Sequence, residues 1–298
     1  MCTNILFIGD THLKCNSPVS RCDDYPTAIL RKLEYLANSV DVSKCDKFVI
    51  LGDVFDSPVT TLPYLATVIN TFKKISDKGI TSYTIVGNHD IKNNRMDSLQ
   101  STALGILLST GYLKLAPAEL TIENTTFRFY NYPESIEAKK SYSYEVCVAH
   151  RYYEFGLAWD SLTKNDVEKL NYDAMILGHL HNPCDNLIVN NTIIYRPGSL
   201  SRGTSEPYNK IRIPRALVFN CSNHRASYIN VECGAANEVF VNQIESNNQP
   251  SLTMKDLIQF ITTSYSSSDM NVREYFNNLK IPFECKEKVA KYLDAVGA

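Results

Sequence analysis

Short apolar runs that stop at a polar cluster recur through the first two-thirds of the chain. Asn4–Gly9, Lys47–Leu51, Thr81–Val86, Glu145–Ala149 and Ala174–Leu177 each read as a buried strand. Between them lie stretches with helical character: Tyr25–Asn38, Leu62–Lys78, Ser98–Leu108 and Thr163–Leu170. In the second of these, Leu62, Leu65, Ala66, Ile69, Phe72 and Ile75 recur at three- and four-residue spacing, the signature of one apolar helix face. Strands alternating with helices predict an α/β layered fold. The pattern changes at Leu120–Glu123 and Thr126–Asn131, two short strands around Asn124-Thr125. Asn186–Tyr195, with Asn190-Asn191 suited to a tight hairpin turn, and Arg215–Cys221 and Ala226–Val231 are also strand-like. The expected architecture is therefore a mixed β-sandwich flanked by helices, four layers in all.

Near the end the composition shifts. Residues 245–251 read Glu-Ser-Asn-Asn-Gln-Pro-Ser, a linker composition. Helix-like pieces follow near Leu252–Thr263, Val272–Leu279 and Glu284–Val296, with Pro282 between the last two. The predicted organisation is a main domain over 1–244, a linker over 245–251 and a small helical cap or docking segment over 252–298. A chain of 298 residues accommodates one large domain with such an appendage better than two equal halves.

Composition excludes some classes. No run approaches 18 apolar residues, so no membrane span is expected, and Met1–Asp10 lacks the basic start of a signal peptide; a cytoplasmic protein is expected. The nine cysteines form no CxxC pair, which argues against a disulfide framework and against a structural zinc site. With 30 basic and 32 acidic residues, the chain lacks the surplus of a nonspecific nucleic-acid binder, although a local basic groove remains open to it.

The predicted strands end in metal-ligand residue types: Gly9-Asp10-Thr11-His12, Gly52-Asp53-Val54-Phe55-Asp56, Gly87-Asn88-His89-Asp90, His150, and Gly178-His179-Leu180-His181. Residues just past the carboxyl ends of strands converge on one edge of an α/β sheet. Of six histidines, five occupy such positions and only His224 lies elsewhere. A single histidine on an apolar face is most often a satisfied core residue; five at matched positions with Asp and Asn reverse that weighing. Two cations about 3.5–4 Å apart need several such ligands each. Imidazole, carboxylate and amide oxygen together suit Mn, Fe or Zn better than Mg or Ca.

These blocks, in order, resemble the calcineurin-like metallophosphoesterases over roughly residues 4–200. The resemblance implies that Asp10, His12, Asp53 and His181 bind one metal. It likewise implies that Asp53, Asn88, His150 and His179 bind a second, with Asp53 bridging. His89 would be the acid or electrostatic partner at the phosphate, and Asp56 the carboxylate that orients it. Asp90 alone could be a turn or capping residue.

Within the family the chain is most similar to SbcD-type DNA exonuclease subunits, in short versions of the kind phages encode. Asp10-Thr11-His12-Leu13, Gly52–Asp56 and the turn Arg196-Pro197-Gly198-Ser199-Leu200-Ser201-Arg202 carry that likeness. It implies a Mn-dependent exo- and endonuclease of DNA repair or recombination, located in the bacterial or phage-infected cytoplasm. It also implies an SbcC-like SMC-type ATPase partner and a homodimer. Arg196, Arg202, Lys210, Arg212 and Arg215 could line a phosphate-tracking groove, or form a solvated basic edge. Tyr152 could stack on a base, or simply pack. Two other classes share the motifs: a small-molecule phosphodiesterase or phosphatase acting on a cyclic nucleotide or nucleotide-sugar ester, and a non-catalytic scaffold, which the intact ligand set disfavours. An open basic groove or a closed pocket around the metals would separate the first two.

Overall fold

A computed structural model describes residues 4–39, 45–154 and 160–241, all within one compact unit spanning Met1–Gln243. The predicted linker (245–251) and helical segment (252–298) lie outside the described residues.

In chain order the elements are β1 (Asn4–Ile8), α1 (Tyr25–Asn38), β2 (Cys45–Ile50), α2 (Leu62–Ser76), β3 (Thr81–Thr84), α3 (Ala103–Ser109), β4 (Leu113–Leu115), β5 (Glu119–Ile122), β6 (Thr125–Tyr130) and β7 (Tyr144–His150). Then follow β8 (Tyr152–Tyr153), β9 (Ser161–Leu162), α4 (Lys164–Leu170), β10 (Ala174–Gly178), β11 (Cys184–Val189), β12 (Thr192–Arg196), α5 (Pro207–Ile211), β13 (Arg215–Asn220), β14 (Arg225–Asn230) and α6 (Ala236–Val239). Two six-stranded sheets, β14-β13-β1-β2-β3-β4 and β11-β12-β10-β7-β6-β5, face each other, and β8 pairs with β9 beside them. Each large sheet is mixed: β1–β4 run parallel, with β13 antiparallel beside β1 and β14 antiparallel beside β13, and β6, β7, β10 and β12 run parallel between antiparallel β5 and β11.

Period-2 alternation explains why the central strands are apolar throughout. Ile5 and Phe7 of β1, Val49 of β2, Val146 and Val148 of β7 and Ile176 of β10 meet between the sheets, with Phe127 and Phe219. Leu6 and Ile8, their alternates, pack beneath α1, α2 and α3 against Ile29, Leu33, Val68, Phe72 and Leu104. Cys147, Ala149, Met175 and Leu177 turn outward to Val167 of α4. The result is the four-layer α/β/β/α sandwich, with both faces of each central strand buried.

Several elements differ from the pattern read in sequence. The inward face of α2 is Tyr64, Leu65, Val68, Thr71, Phe72 and Ile75, while Leu62 is 77% exposed and Ala66 also faces outward. Val68, omitted from the expected stripe, rotates the buried face. The single helix expected over Ser98–Leu108 is a 3₁₀ segment, Met96–Ser101, and then α3. Thr102 breaks it, adopting extended backbone and accepting a hydrogen bond from the Gly105 amide with its hydroxyl at 3.2 Å. Asp24 caps α1 through the Thr27 amide (3.2 Å), and Pro26 follows within the first turn.

A buried charge pair ties the second sheet together. Glu145 of β7, fully buried, accepts from Arg128 Nε (3.0 Å) and Nη2 (3.2 Å) of β6 and from the Ser141 hydroxyl (2.6 Å). Burial pushes the Glu145 carboxyl up, but these donors outweigh it and hold it at about 2. A carboxyl depressed on folding contributes stability that is present above its unfolded value near 4.5 and is lost as pH falls toward 2. Arg128→Ala should therefore cost about 2–4 kcal/mol at neutral pH. The gap in thermal midpoint between variant and wild type should narrow below about pH 4.5. A gap that stays constant from pH 6 to pH 2.5 would show that the pair is not its source.

Candidate metal centre

Parallel pairing brings the chemistry to one edge. Ile8, Ile50 and Thr84 end neighbouring parallel strands, and Gly178 registers with His150 in the opposite sheet. The loops beyond β1, β2, β3, β7 and β10 then carry Asp10 and His12, Asp53, Asn88 and His89, His150, and His179 and His181 to a common edge.

The first two loops zip together. The Thr11 and His12 amides donate to the Asp53 carbonyl (3.1 and 3.0 Å), and Leu13 N to Val54 O (2.8 Å). Buried Asp90 braces the same region, accepting from Phe55 N (3.1 Å) and Gly87 N (2.9 Å), which is a turn-holding role. Burial is the main force raising the Asp90 carboxyl, to about 7, with the Asp53 charge adding to it. His12, Asp53 and His179 all have positive φ (44°, 48° and 78°), a costly conformation for side-chain-bearing residues that persists here because the surrounding contacts impose it.

The glycines ahead of these residues play two parts. Only Gly52 has positive φ (89°); Gly9, Gly87 and Gly178 serve close approach instead. A Cβ on Gly87 would lie 2.1 Å from Asp53 Oδ1, and one on Gly9 would lie 1.8 Å from the Gly198 carbonyl oxygen. That second contact shows what the Arg196–Arg202 turn does. Ser199 N donates to the His181 carbonyl (3.0 Å), and Leu200 N (3.0 Å) and Ser199 Oγ (2.8 Å) donate to the Asp10 carbonyl. The turn buttresses two candidate ligands from behind.

Among the described residues three groups of ligand atoms result, Asp10–His12–His181, Asp53–His150–His179 and His12–Asp56–His89, each with its atoms within 4.8 Å of one another. His12 Nε2 and His181 Nε2 approach to 2.9 Å, and His181 Nε2 lies 3.6 Å from Asp10 Oδ2. His150 Nε2 is 3.0 Å from Asn88 Oδ1 and 3.2 Å from Asp53 Oδ2. Asp53 Oδ2 also lies 3.8 Å from His12 Nε2, so this carboxylate stands between the groups. Asp10 Oδ2 and Asp53 Oδ2 are buried without a hydrogen bond. A buried carboxylate oxygen left so is expensive, and the donor set around it is the one that divalent transition ions accept, so the residues fit a pair of such cations.

The ionisable groups of the centre shift one another. Burial opposes the Asp53 charge, yet His150, His89 and His12 outweigh it and hold the carboxyl well below the usual range. Burial lowers the pKa of His12 and His179, keeping lone pairs available. For His150, burial is overcome by Asp53, and the value rises to about 9. Burial also opposes the charge on His89, but the Asp53 charge and the Asp56 carbonyl prevail, and its pKa is raised.

Several expected roles need correction. The Asp56 carboxylate does not orient His89. His89 Nδ1 donates to the Asp56 main-chain carbonyl (2.9 Å), while the carboxylate pairs with Lys14 Nζ (2.7 Å) and lies 3.7 Å from His12 Nδ1. The zipped loop turns the peptide oxygen, not the side chain, toward the ring. Arg202, 3% exposed, is spent on the carbonyls of Asn209 and Gly234. Arg212 serves those of Ser199 and Ser201, and Arg215 that of Cys184. Arg196 reaches the Asp185 carbonyl (3.3 Å) and lies over the Tyr153 ring. A desolvated guanidinium needs oxygens, and an irregular turn supplies carbonyls; the expected basic groove is thereby largely consumed. Tyr152 does reach the centre, its ring centroid 3.7 Å from that of His179.

Two contributors were missed. Asp160 Oδ2 lies 3.0 Å from His179 Nε2 and fixes the side of the ring that faces Asp53. Buried Tyr132 sets its ring edge against His150, with centroids 6.3 Å apart. No spacing in the sequence signals either.

The chain belongs to the calcineurin-like phosphoesterase family, whose model matches residues 3–183. A curated relative, "Putative phosphoesterase 078R" of Invertebrate iridescent virus 3, is 24% identical over 235 residues, 73% of this chain; the chain spans 63% of that relative's length. Among solved structures, a Streptococcus pneumoniae TIGR4 protein described as a "predicted phosphoesterase" aligns with 15% identity and a TM-score of 0.36, covering 78% of this chain and 94% of its own. No helix among the described residues is long and apolar enough to cross a membrane.

Asp160→Asn should preserve the fold yet weaken the second ion by about 10–100-fold, as loss of a carboxylate behind a ligating histidine does. Titration with Mn(II), followed by electron paramagnetic resonance, reads this directly. Unchanged affinity at both sites would remove Asp160 from the centre.

Proposed function

We propose that the chain is a two-metal phosphodiesterase that cuts DNA, with Mn as the working ion and Fe or Zn as alternatives. The observation that carries the phosphodiesterase reading is Asp53, a buried carboxylate set between two groups of imidazole, carboxylate and amide ligands at an open sheet edge. Asp10, His12, Asp53 and His181 would hold one cation, and Asp53, Asn88, His150 and His179 the other. Bound there, the cations supply positive charge against the phosphate oxygens and make water acidic enough to act as a nucleophile.

The chain's own groups do the rest. His89 has its Nδ1–H anchored on the Asp56 carbonyl, which leaves Nε2 as the nitrogen to meet substrate. With its pKa raised, it can hold a proton beside a phosphate oxygen and give it to the departing alkoxide. The Ser199–Leu200 turn keeps Asp10 and His181 from shifting as charge develops.

The DNA assignment rests on the likeness of the Arg196–Arg202 turn to SbcD-type subunits, and with it go a repair or recombination role, an SbcC-like ATPase partner and a homodimer. A small-molecule phosphodiesterase is the second reading, favoured by the disposition of cations near the site. Arg202 and Arg212 are buried on carbonyls, and Lys14 is paired with Asp56.

Mn-dependent turnover on linear duplex DNA, single-stranded DNA, bis-p-nitrophenyl phosphate and cyclic nucleotides separates these readings. DNA should be degraded, and His89→Ala should lose about 100-fold or more in kcat while still binding Mn. Asp53→Ala should lose the metals as well. Cleavage of small esters with DNA untouched would replace the nuclease by the second reading, and full activity in both variants would sink the site assignment.

A further inference from the structure

A second cavity opens directly from the metal centre. It has a volume of about 590 Å³ and is lined by Tyr152, His179, Leu180, His181, Cys184, Glu206 and Tyr208, with Asn182 at its side. His179 and His181 form one wall, so a group attached to a phosphate at the centre has this cleft open beside it. Neither Lys nor Arg lines it, and Glu206 is its one acidic side chain. Tyr208 projects from the short helix α5, which Glu206 begins, and is only partly buried.

The chemistry of that lining selects its occupant. A second phosphate would meet a carboxylate with no cation to offset it, so the backbone of a nucleic acid cannot be followed here. A flat uncharged group suits two tyrosine rings, Leu180 and the Cys184 thiol, because stacking on aromatic faces needs no charge. The Glu206 carboxylate accepts the Thr204 hydroxyl on Oε2 at 3.3 Å and also meets the Tyr208 hydroxyl, and a carboxylate keeps acceptor capacity beyond these two. It can therefore accept from an exocyclic amino group, and it repels the two carbonyls that flank the thymine N3–H.

We propose that this cleft is the nucleobase site of the enzyme, taking the base next to the phosphate, with Tyr208 and Tyr152 as its stacking walls and Glu206 favouring amino-bearing bases over thymine. The inference deepens the phosphodiesterase reading and rests on it. It applies to both DNA and nucleotide substrates, since each presents a base beside the reacting phosphate. It also gives the tyrosine after His150 a use that the charge distribution denies to Arg202.

Equilibrium binding to the full-length Mn-loaded protein tests it, using dAMP, dTMP and inorganic phosphate as probes and calorimetry as the readout. Wild type should bind dAMP about tenfold or more tighter than phosphate, and dAMP tighter than dTMP. Tyr208→Ala should reduce the dAMP-to-phosphate affinity ratio by about tenfold, and Tyr208→Phe should restore it, since the ring and not the hydroxyl does the stacking. Glu206→Gln should erase the preference for dAMP over dTMP. A Tyr208→Ala ratio equal to wild type, in a protein that still binds phosphate, would overturn the base site and leave the phosphodiesterase reading standing. If wild type bound neither phosphate nor nucleotide with Mn present, the phosphodiesterase reading itself would fail, and the base site with it.

Discussion

Everything at the functional edge is arranged around the Asp53 carboxylate, which is 1% exposed and sits on a left-handed backbone residue. Its carbonyl receives the Thr11 and His12 amides, Oδ1 receives the His89 amide at 2.8 Å, and Oδ2 faces His150 and His12. A single buried anion thus anchors loops from three strands of one sheet and faces a histidine of the other. Burying such a charge costs several kcal/mol unless it is paired. The fold meets this cost by gathering imidazoles around it, and that gathering is what brings the groups of ligand atoms together at this edge.

The same constraint accounts for the glycines. A carboxylate that must be approached by three peptide segments leaves no room for side chains on the approaching chains. Gly87 and Gly9 sit where a Cβ would fall on Asp53 or on the turn that supports Asp10. The positive φ angles of His12, Asp53 and His179 belong to the same economy, since a site built from tight turns stores backbone strain that the zipped loops hold in place.

Charge is distributed unlike that of a nucleic-acid groove. Beyond His181, Arg212 folds inward onto the Ser199 and Ser201 carbonyls, Arg202 onto those of Asn209 and Gly234, and Arg215 onto that of Cys184, a structural use of arginine. The open space beside His179 and His181 is instead aromatic, with one acid. Recognition of a phosphoester here would then depend on cations for the phosphate and on rings for what is attached to it.

How much of this was legible beforehand follows from which interactions are local. The five strand-end blocks and the strands behind them were readable because a short apolar run, a glycine and a ligand type are contiguous. The four-layer architecture followed from alternating elements, and the capping of α1 by Asp24 from three adjacent residues. What stayed hidden depends on contacts between distant residues. Nothing in a sequence says that Val68 rotates the buried face of α2, or that Asp160 meets His179 and Tyr132 meets His150. Nor does it say that Asp56 offers its carbonyl and not its carboxylate, or that Arg202 turns away from the metal edge. The sequence by itself determined which residues of metal-ligand type stand at the strand ends, because each such block is contiguous in the chain. Tertiary structure alone decided orientation, burial and the lining of the cleft, because those depend on which backbone oxygens and rings packing places within a few ångströms.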